Sequence, residues 1–105
     1  MAYRIEFVDA AKADLRALRK TDRVKVLDRI EQHLRHRPTF QSKSRIKSLR
    51  PATFPPFRLR VDEFRVYYDV DQSQEMVVIF GIVAKSESEA WLAQSTKRHQ
   101  KGEES

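Results

Sequence analysis

The stretch FRLRVDEFRVYYDV, residues 57 to 70, carries the side chains best suited to chemistry: Arg58, Arg60 and Arg65, interleaved with aromatic and β-branched residues. Apolar and polar positions alternate in steps of two, as in paired strands with one covered face. A turn at Asp62-Glu63 puts Phe57, Leu59, Val61, Phe64, Val66, Tyr68 and Val70 on that covered face. The same register sets Arg60 opposite Arg65, and Arg58 opposite Tyr67, on the other face. Opposed like charges cost some tenths of a kcal/mol per pair, a cost that a bound anion reverses. Guanidinium forks match phosphate geometry and stay charged at every biological pH, so this cluster is suited to gripping a phosphodiester and neutralising charge that grows on it. Tyr67 can add a hydrogen bond or a surface on which a base stacks.

The surrounding charge points the same way. The net charge is +6, and no acidic residue occurs between Glu31 and Asp62. Residues 35 to 65 hold nine cations against two carboxylates, so the whole excess lies in this segment. Lys43, Arg45, Lys47 and Arg50 extend the basic field ahead of the hairpin and are candidate substrate-binding residues. Such a field attracts polyanions, nucleic acid above all. The plain alternative is a solvated loop with basic decoration.

The elements that position these residues follow from periodicity. Tyr3, Ile5 and Phe7 alternate with Arg4 and Glu6 as a first short strand. Asp9 suits an N-cap for a helix with apolar positions at Ala11, Leu15 and Leu18. Thr21 suits a second cap, with Val24, Leu27, Ile30 and Leu34 marking an amphipathic helix over residues 22 to 36 that ends before Pro38. Residues 38 to 56 contain all four prolines and read as a long loop anchored by Ile46, Leu49 and Phe54. Three strands follow, over residues 57–61, 64–70 and 76–83. The last, MVVIFGIV, is apolar at nearly every position and so belongs inside the sheet. Ser86 and Glu89 have capping-box spacing for a final helix through Trp91 and Leu92. The expectation is one α+β domain over residues 1–96, with two N-terminal helices on a four-stranded, mainly antiparallel sheet, then a polar, flexible tail over 97–105.

Several classes are excluded. The chain has no cysteine for disulfides or a thiolate metal site, only two glycines, no phosphate-binding loop and no serine-nucleophile signature. His33 and His36 have a ligand spacing, but nothing completes a site, so neither metal nor cofactor is expected. The opening MAYRIEFVDA has no signal-peptide h-region and no segment is long and apolar enough to span a bilayer, which leaves a cytoplasmic protein as the expectation.

The opening Y-x-I-x-F, the two helices, the L-R-P loop, F-R-L-R-V-D-E-F-R-V-Y-Y-D-V and the apolar last strand resemble the RelE/ParE superfamily of bacterial toxins from type II toxin–antitoxin modules. The resemblance spans nearly the whole chain. It implies a cognate antitoxin as partner and, in the messenger-RNA-cleaving branch, a toxin that enters the ribosome and cuts mRNA by attack of a ribose 2′-hydroxyl on the adjacent phosphate. By position, it implies Arg58, Arg60, Arg65 and Lys85 as the basic catalytic residues, and Trp91 where that branch often has a functional tyrosine. Arginine does not release its proton near neutrality, and indole performs no acid–base chemistry. A general base then falls to Asp62 or Glu63, to Tyr67, or to the ribosome itself. The alternatives are a ParE-like inhibitor of DNA gyrase without nuclease activity, or a non-toxic basic nucleic-acid-binding module.

Overall fold

A computed structural model describes residues 2–42 and 45–104. The chain runs β1 (Arg4–Phe7), α1 (Asp9–Ala17), α2 (Lys20–Leu34), β2 (Ile46–Ser48), β3 (Phe57–Val61), β4 (Phe64–Asp71) and β5 (Met76–Ala84). A single 3-10 turn (Lys85–Glu87) then leads into α3 (Ser88–Glu104). The five strands form one sheet in the order β1-β5-β4-β3-β2, antiparallel except where β1 lies parallel to β5. The expected α+β class holds. The additional strand, β2, comes from the segment read as a loop: Arg45-Ile46-Lys47-Ser48 alternates, but three residues are too few to stand out by period.

One face of the sheet packs on the N-terminal helices. Leu59, Val66, Tyr68, Val77 and Ile79 meet Ala11, Val26, Ile30 and Leu34 in a single core. On α2 the buried stripe is Val26, Ile30 and Leu34, whereas Val24 and Leu27, expected to join it, face solvent. Arg35 closes the end of α2 against β1. Its Nη1 donates to the Tyr3 carbonyl (2.8 Å) and its other guanidinium nitrogens pair with Glu31. The apolar β5 lies inside the sheet, between β1 and β4. Asp14 of α1 accepts from the Ile82 amide at 3.0 Å, beyond the point where β1 ends its pairing.

The expected helix caps do not form. Val8 and Arg19 occupy the N-cap positions without side-chain bonds, while Asp9 and Asp22 sit in the first turns, where a carboxylate still favours the positive end of the helix dipole. The final helix begins at Ser88, later than the Ser86–Glu89 pair implies, and Ser88 Oγ donates to the Lys85 carbonyl (2.9 Å). It continues through Glu104, so the residues expected as a tail from Lys97 onward are its last turns. Thr96 and His99 tie it to the preceding loop. Thr96 Oγ1 accepts from the Phe54 amide (3.1 Å), and the His99 ring stacks on Phe54 at 3.8 Å.

The phenol of Tyr68 is buried in the core and donates to the Pro38 carbonyl at 2.6 Å, pinning the start of the 38–56 segment to the sheet. Burial pushes this phenol's pKa up, so it remains a donor through the physiological range. Removing the hydroxyl strands a buried carbonyl. Tyr68→Phe is therefore expected to destabilise the protein by about 1–3 kcal/mol in urea unfolding, with an unchanged m-value.

Candidate nucleic-acid interface

The β3–β4 hairpin adopts the register its alternation requires: Arg60 pairs with Arg65, Leu59 with Val66, and Arg58 with Tyr67. Pairing on both sides extends these into two rows across the outer face. One row runs Lys47–Arg58–Tyr67–Gly81. The next runs from Arg45, whose carbonyl accepts from the Arg60 amide (2.8 Å), through Arg60 and Arg65 to Val83. Five cations thus share one sheet face. Among the described residues, none of Arg45, Lys47, Arg58, Arg60 and Arg65 forms an ion pair with a carboxylate. Arg45, Lys47, Arg58 and Arg60 line a cleft of about 430 Å³ together with Gln41, Ser42 and Ile46.

The three hairpin arginines are not equivalent. Arg60 is exposed and Arg58 half-buried, but Arg65 is only 6% exposed. Its Nη1 donates to the carbonyls of Asp62 and Phe64, both at 2.9 Å, so the guanidinium holds the turn closed. Burial, followed by the charges of Arg60 and Arg58, draws its pKa below the usual arginine value, the electrostatic signature of three cations converging. Lys85 is exposed and stands one step beyond the Arg65–Val83 pair, its amide bonded to the Glu63 carbonyl at 2.7 Å.

The two turn carboxylates also differ. Asp62 takes a left-handed φ of 50°, tolerated by aspartate though eased by glycine, and its Oδ2 pairs with Lys25 of α2 at 3.0 Å. The Lys25 ammonium holds the Asp62 carboxyl below the ordinary carboxylate range, which makes it a weak proton acceptor near neutrality. Glu63 is exposed at the tip of the hairpin.

Tyr67 and Trp91 are brought together rather than offered to a ligand. Tyr67 is 1% exposed and its ring stacks on the Trp91 indole (4.9 Å, 18° between planes), so the expectation that Tyr67 presents a free surface to a base does not hold in this arrangement. The ring carries too much area to remain uncovered, and α3 supplies the cover. The indole also lies over Gly81, where a Cβ would come within 2.2 Å of Trp91 Cζ2. Gly81 was not singled out in the sequence, because its requirement arises from a helix that packs across the sheet. Arg50 lies outside the cluster, paired with Asp69 at 3.4 Å and set over the Phe57 ring. Lys43 lies outside the described residues. Among the described residues no group of histidines and carboxylates could hold a metal, and no helix is long and apolar enough to cross a membrane.

A profile of the ParE toxin of the type II toxin–antitoxin system parDE matches residues 5–88. The chain belongs to the ParE toxin family. It is thus a RelE/ParE-superfamily toxin of a type II toxin–antitoxin system. Among solved structures, it is similar to the toxin–antitoxin complex RelBE2 from Mycobacterium tuberculosis, at 24% identity and a TM-score of 0.66 over 80% of this chain and 92% of that one. An E. coli RelE with two arginines replaced by alanine, in the free state, superposes with a TM-score of 0.67 at 21% identity, over 93% of this chain and 98% of that one. The archaeal RelE–RelB complex from Pyrococcus horikoshii gives 0.58 at 17% identity, covering 81% and 97%. At these identities the likeness speaks for the fold. No curated protein sequence matches the chain significantly.

For this ParE-family toxin, Gly81→Ala drives a methyl into the indole and is expected to cost about 1–3 kcal/mol in urea unfolding. In a Trp91→Ala background the same change has room and should cost less than about 1 kcal/mol. Equal costs in both backgrounds would show that the ring does not impose the glycine.

Proposed function

We propose that this toxin cuts messenger RNA at the ribosome and that a cognate antitoxin neutralises it. The observation that carries the reading is the double row of cations on the outer sheet face, with no carboxylate paired to any of them among the described residues. That face has the charge, and along its cleft the room, to receive a single strand by its phosphates. An antitoxin partner is supported by the family and by relatives solved as RelB-bound complexes. Work at the ribosome would place the protein in the cytoplasm.

In the reaction, the ribose 2′-oxygen bonds to the adjacent phosphorus, the bond to the 5′-oxygen of the next nucleotide breaks, that oxygen takes a proton from solvent and leaves as a 5′-hydroxyl, and a 2′,3′-cyclic phosphate remains on the other fragment. The pentavalent transition state carries more negative charge than the diester. Arg58 and Arg60 are the groups with both position and exposure to stabilise it, and Lys85 adds a cation at the turn end. Arg65 acts through the backbone it holds and through its field. The 2′-proton needs an acceptor that no arginine supplies. Asp62 is committed to Lys25, so the role falls to Glu63 or to a group of the ribosome. The remaining acceleration comes from positioning and charge.

The second reading, inhibition of DNA gyrase by binding, is favoured by the match to the ParE family and by the burial of Tyr67, which leaves no exposed carboxylate, histidine or tyrosine within the cationic rows. Adding purified toxin to a cell-free translation extract and mapping the message ends separates the two, with a gyrase supercoiling assay alongside. Cleavage within the reading frame is expected, and Arg60→Ala should slow it about 100-fold or more. This exposed residue is a cleaner test than Arg65→Ala, which also leaves two turn carbonyls without their donor. Inhibited supercoiling over an intact message would establish the gyrase reading instead. If the five exposed or half-buried cations Arg45, Lys47, Arg58, Arg60 and Lys85 each meet a phosphate, RNA affinity should fall about 100-fold between roughly 50 and 200 mM salt. A slope near zero would exclude a phosphate-tracking face.

A further inference from the structure

The cationic cleft does not end at the edge of the sheet. Ser42, Arg45 and Ile46 line both it and a neighbouring cleft of about 360 Å³ between the C-terminal end of α2 and strand β2. The second cleft is bounded by His33, His36, Arg37 and Phe40. Three features separate it from an ordinary surface crease. Phe40 is 53% exposed, a large aromatic left in solvent beside the basic segment, and the Arg37 guanidinium sits over its ring at 4.0 Å. His33 Nε2 is buried in the protein and has no hydrogen-bond partner, a cost that a native structure normally avoids. Finally, the segment from residue 32 to residue 61 contains no carboxylate at all, so the residues that supply this path contribute only neutral and positive groups to it.

We propose that this second cleft is a nucleotide subsite, in which Phe40 stacks an unpaired RNA base and Arg45 holds the phosphate linking that base to the strand on the outer sheet face. An aromatic platform flanked by cations is the usual means of holding single-stranded nucleic acid, because every base offers a π-face and every linkage a charge. His33 lines the subsite, and a turn of its ring would bring the unpartnered Nε2 to a base edge. Burial, then the charges of Arg45 and Arg29, lowers its pKa, so near neutrality the imidazole is uncharged and can donate from one nitrogen and accept at the other. The subsite rests on the RNA-binding reading of the outer face and deepens it. The toxin would hold the nucleotide being cut over Arg58 and Arg60 and a flanking one at Phe40, lengthening the stretch of message it grips.

The test uses the purified full chain and labelled 2′-O-methyl oligoadenylates of three and six residues, which lack the attacking hydroxyl and cannot be cut, with affinity read by fluorescence anisotropy at fixed salt. The wild type should bind the six-residue strand at least tenfold more tightly than the three-residue one. Phe40→Ala should remove about tenfold from the longer strand alone, and Phe40→Tyr should restore it. Arg45→Ala should lower the salt slope by about one phosphate, whereas Phe40→Ala should leave the slope unchanged. Full affinity of Phe40→Ala for the longer strand, or an equal loss for both lengths, overturns the subsite while the reading of the outer face stands. A wild type that binds neither strand, in an extract whose message stays intact, overturns that reading and the subsite with it.

Discussion

The architecture depends on a steric and hydrophobic constraint in one hairpin. Leu59, Val66 and Tyr68 have no exposed surface, and they can be buried together only with the parity that turns Arg58, Arg60 and Arg65 to the opposite face, where the tight turn sets Arg60 against Arg65. A slip of one residue would turn Arg58 and Arg60 into the core and expose the apolar set, a loss of many kcal/mol against a like-charge cost of tenths. Core packing therefore holds cations in mutual repulsion. Every functional property argued for this face, from its anion affinity to its extension over β2, follows from that inequality.

Where residues obey a period that one buried face enforces, the sequence was legible. The hairpin pairing, the interior place of the 76–84 strand and the α+β class all follow from steps of two and of three to four. The features that were hidden each depend on something distant in the chain. Strand β2 is only three residues long and exists because β3 offers an edge. Gly81 is constrained by Trp91, and Trp91 is placed by a helix whose path the Thr96–Phe54 and His99–Phe54 contacts hold. The caps at Asp9, Thr21 and Ser86 were read from local chemistry, but helices packed on a sheet gain their stability from the buried stripe and start where the packing puts them.

The candidate site was legible in part for the same reason. Which side of the sheet Arg58, Arg60, Arg65 and Tyr67 occupy is a matter of parity, and parity is local. Which of them meet solvent is not. Arg65 turns inward to the carbonyls of Asp62 and Phe64, and Tyr67 disappears beneath an indole 24 residues away in sequence. Arg50 keeps its basic character but spends it on Asp69. A sequence reveals the inventory of charges on a face; the carboxylates and aromatic rings that other elements bring to that face decide which charges remain available.

The same contacts that bury Arg65 and Tyr67 hold the strands that carry the remaining cations. An array that stabilises a transition state must not relax around its own repulsion, because any rearrangement on binding is subtracted from the stabilisation it offers. Here the outward arginines stand on strands whose movement is resisted from three sides. Arg65 closes the turn, Trp91 lies flat on Tyr67 one row away, and Lys25 of α2 holds Asp62 from the core side. The repulsion between Arg60 and Arg65 cannot be relieved by opening the hairpin without giving up those contacts. In the proposed reading an anion relieves it instead, and the energy held in the row would become affinity for the charge that develops on a phosphate.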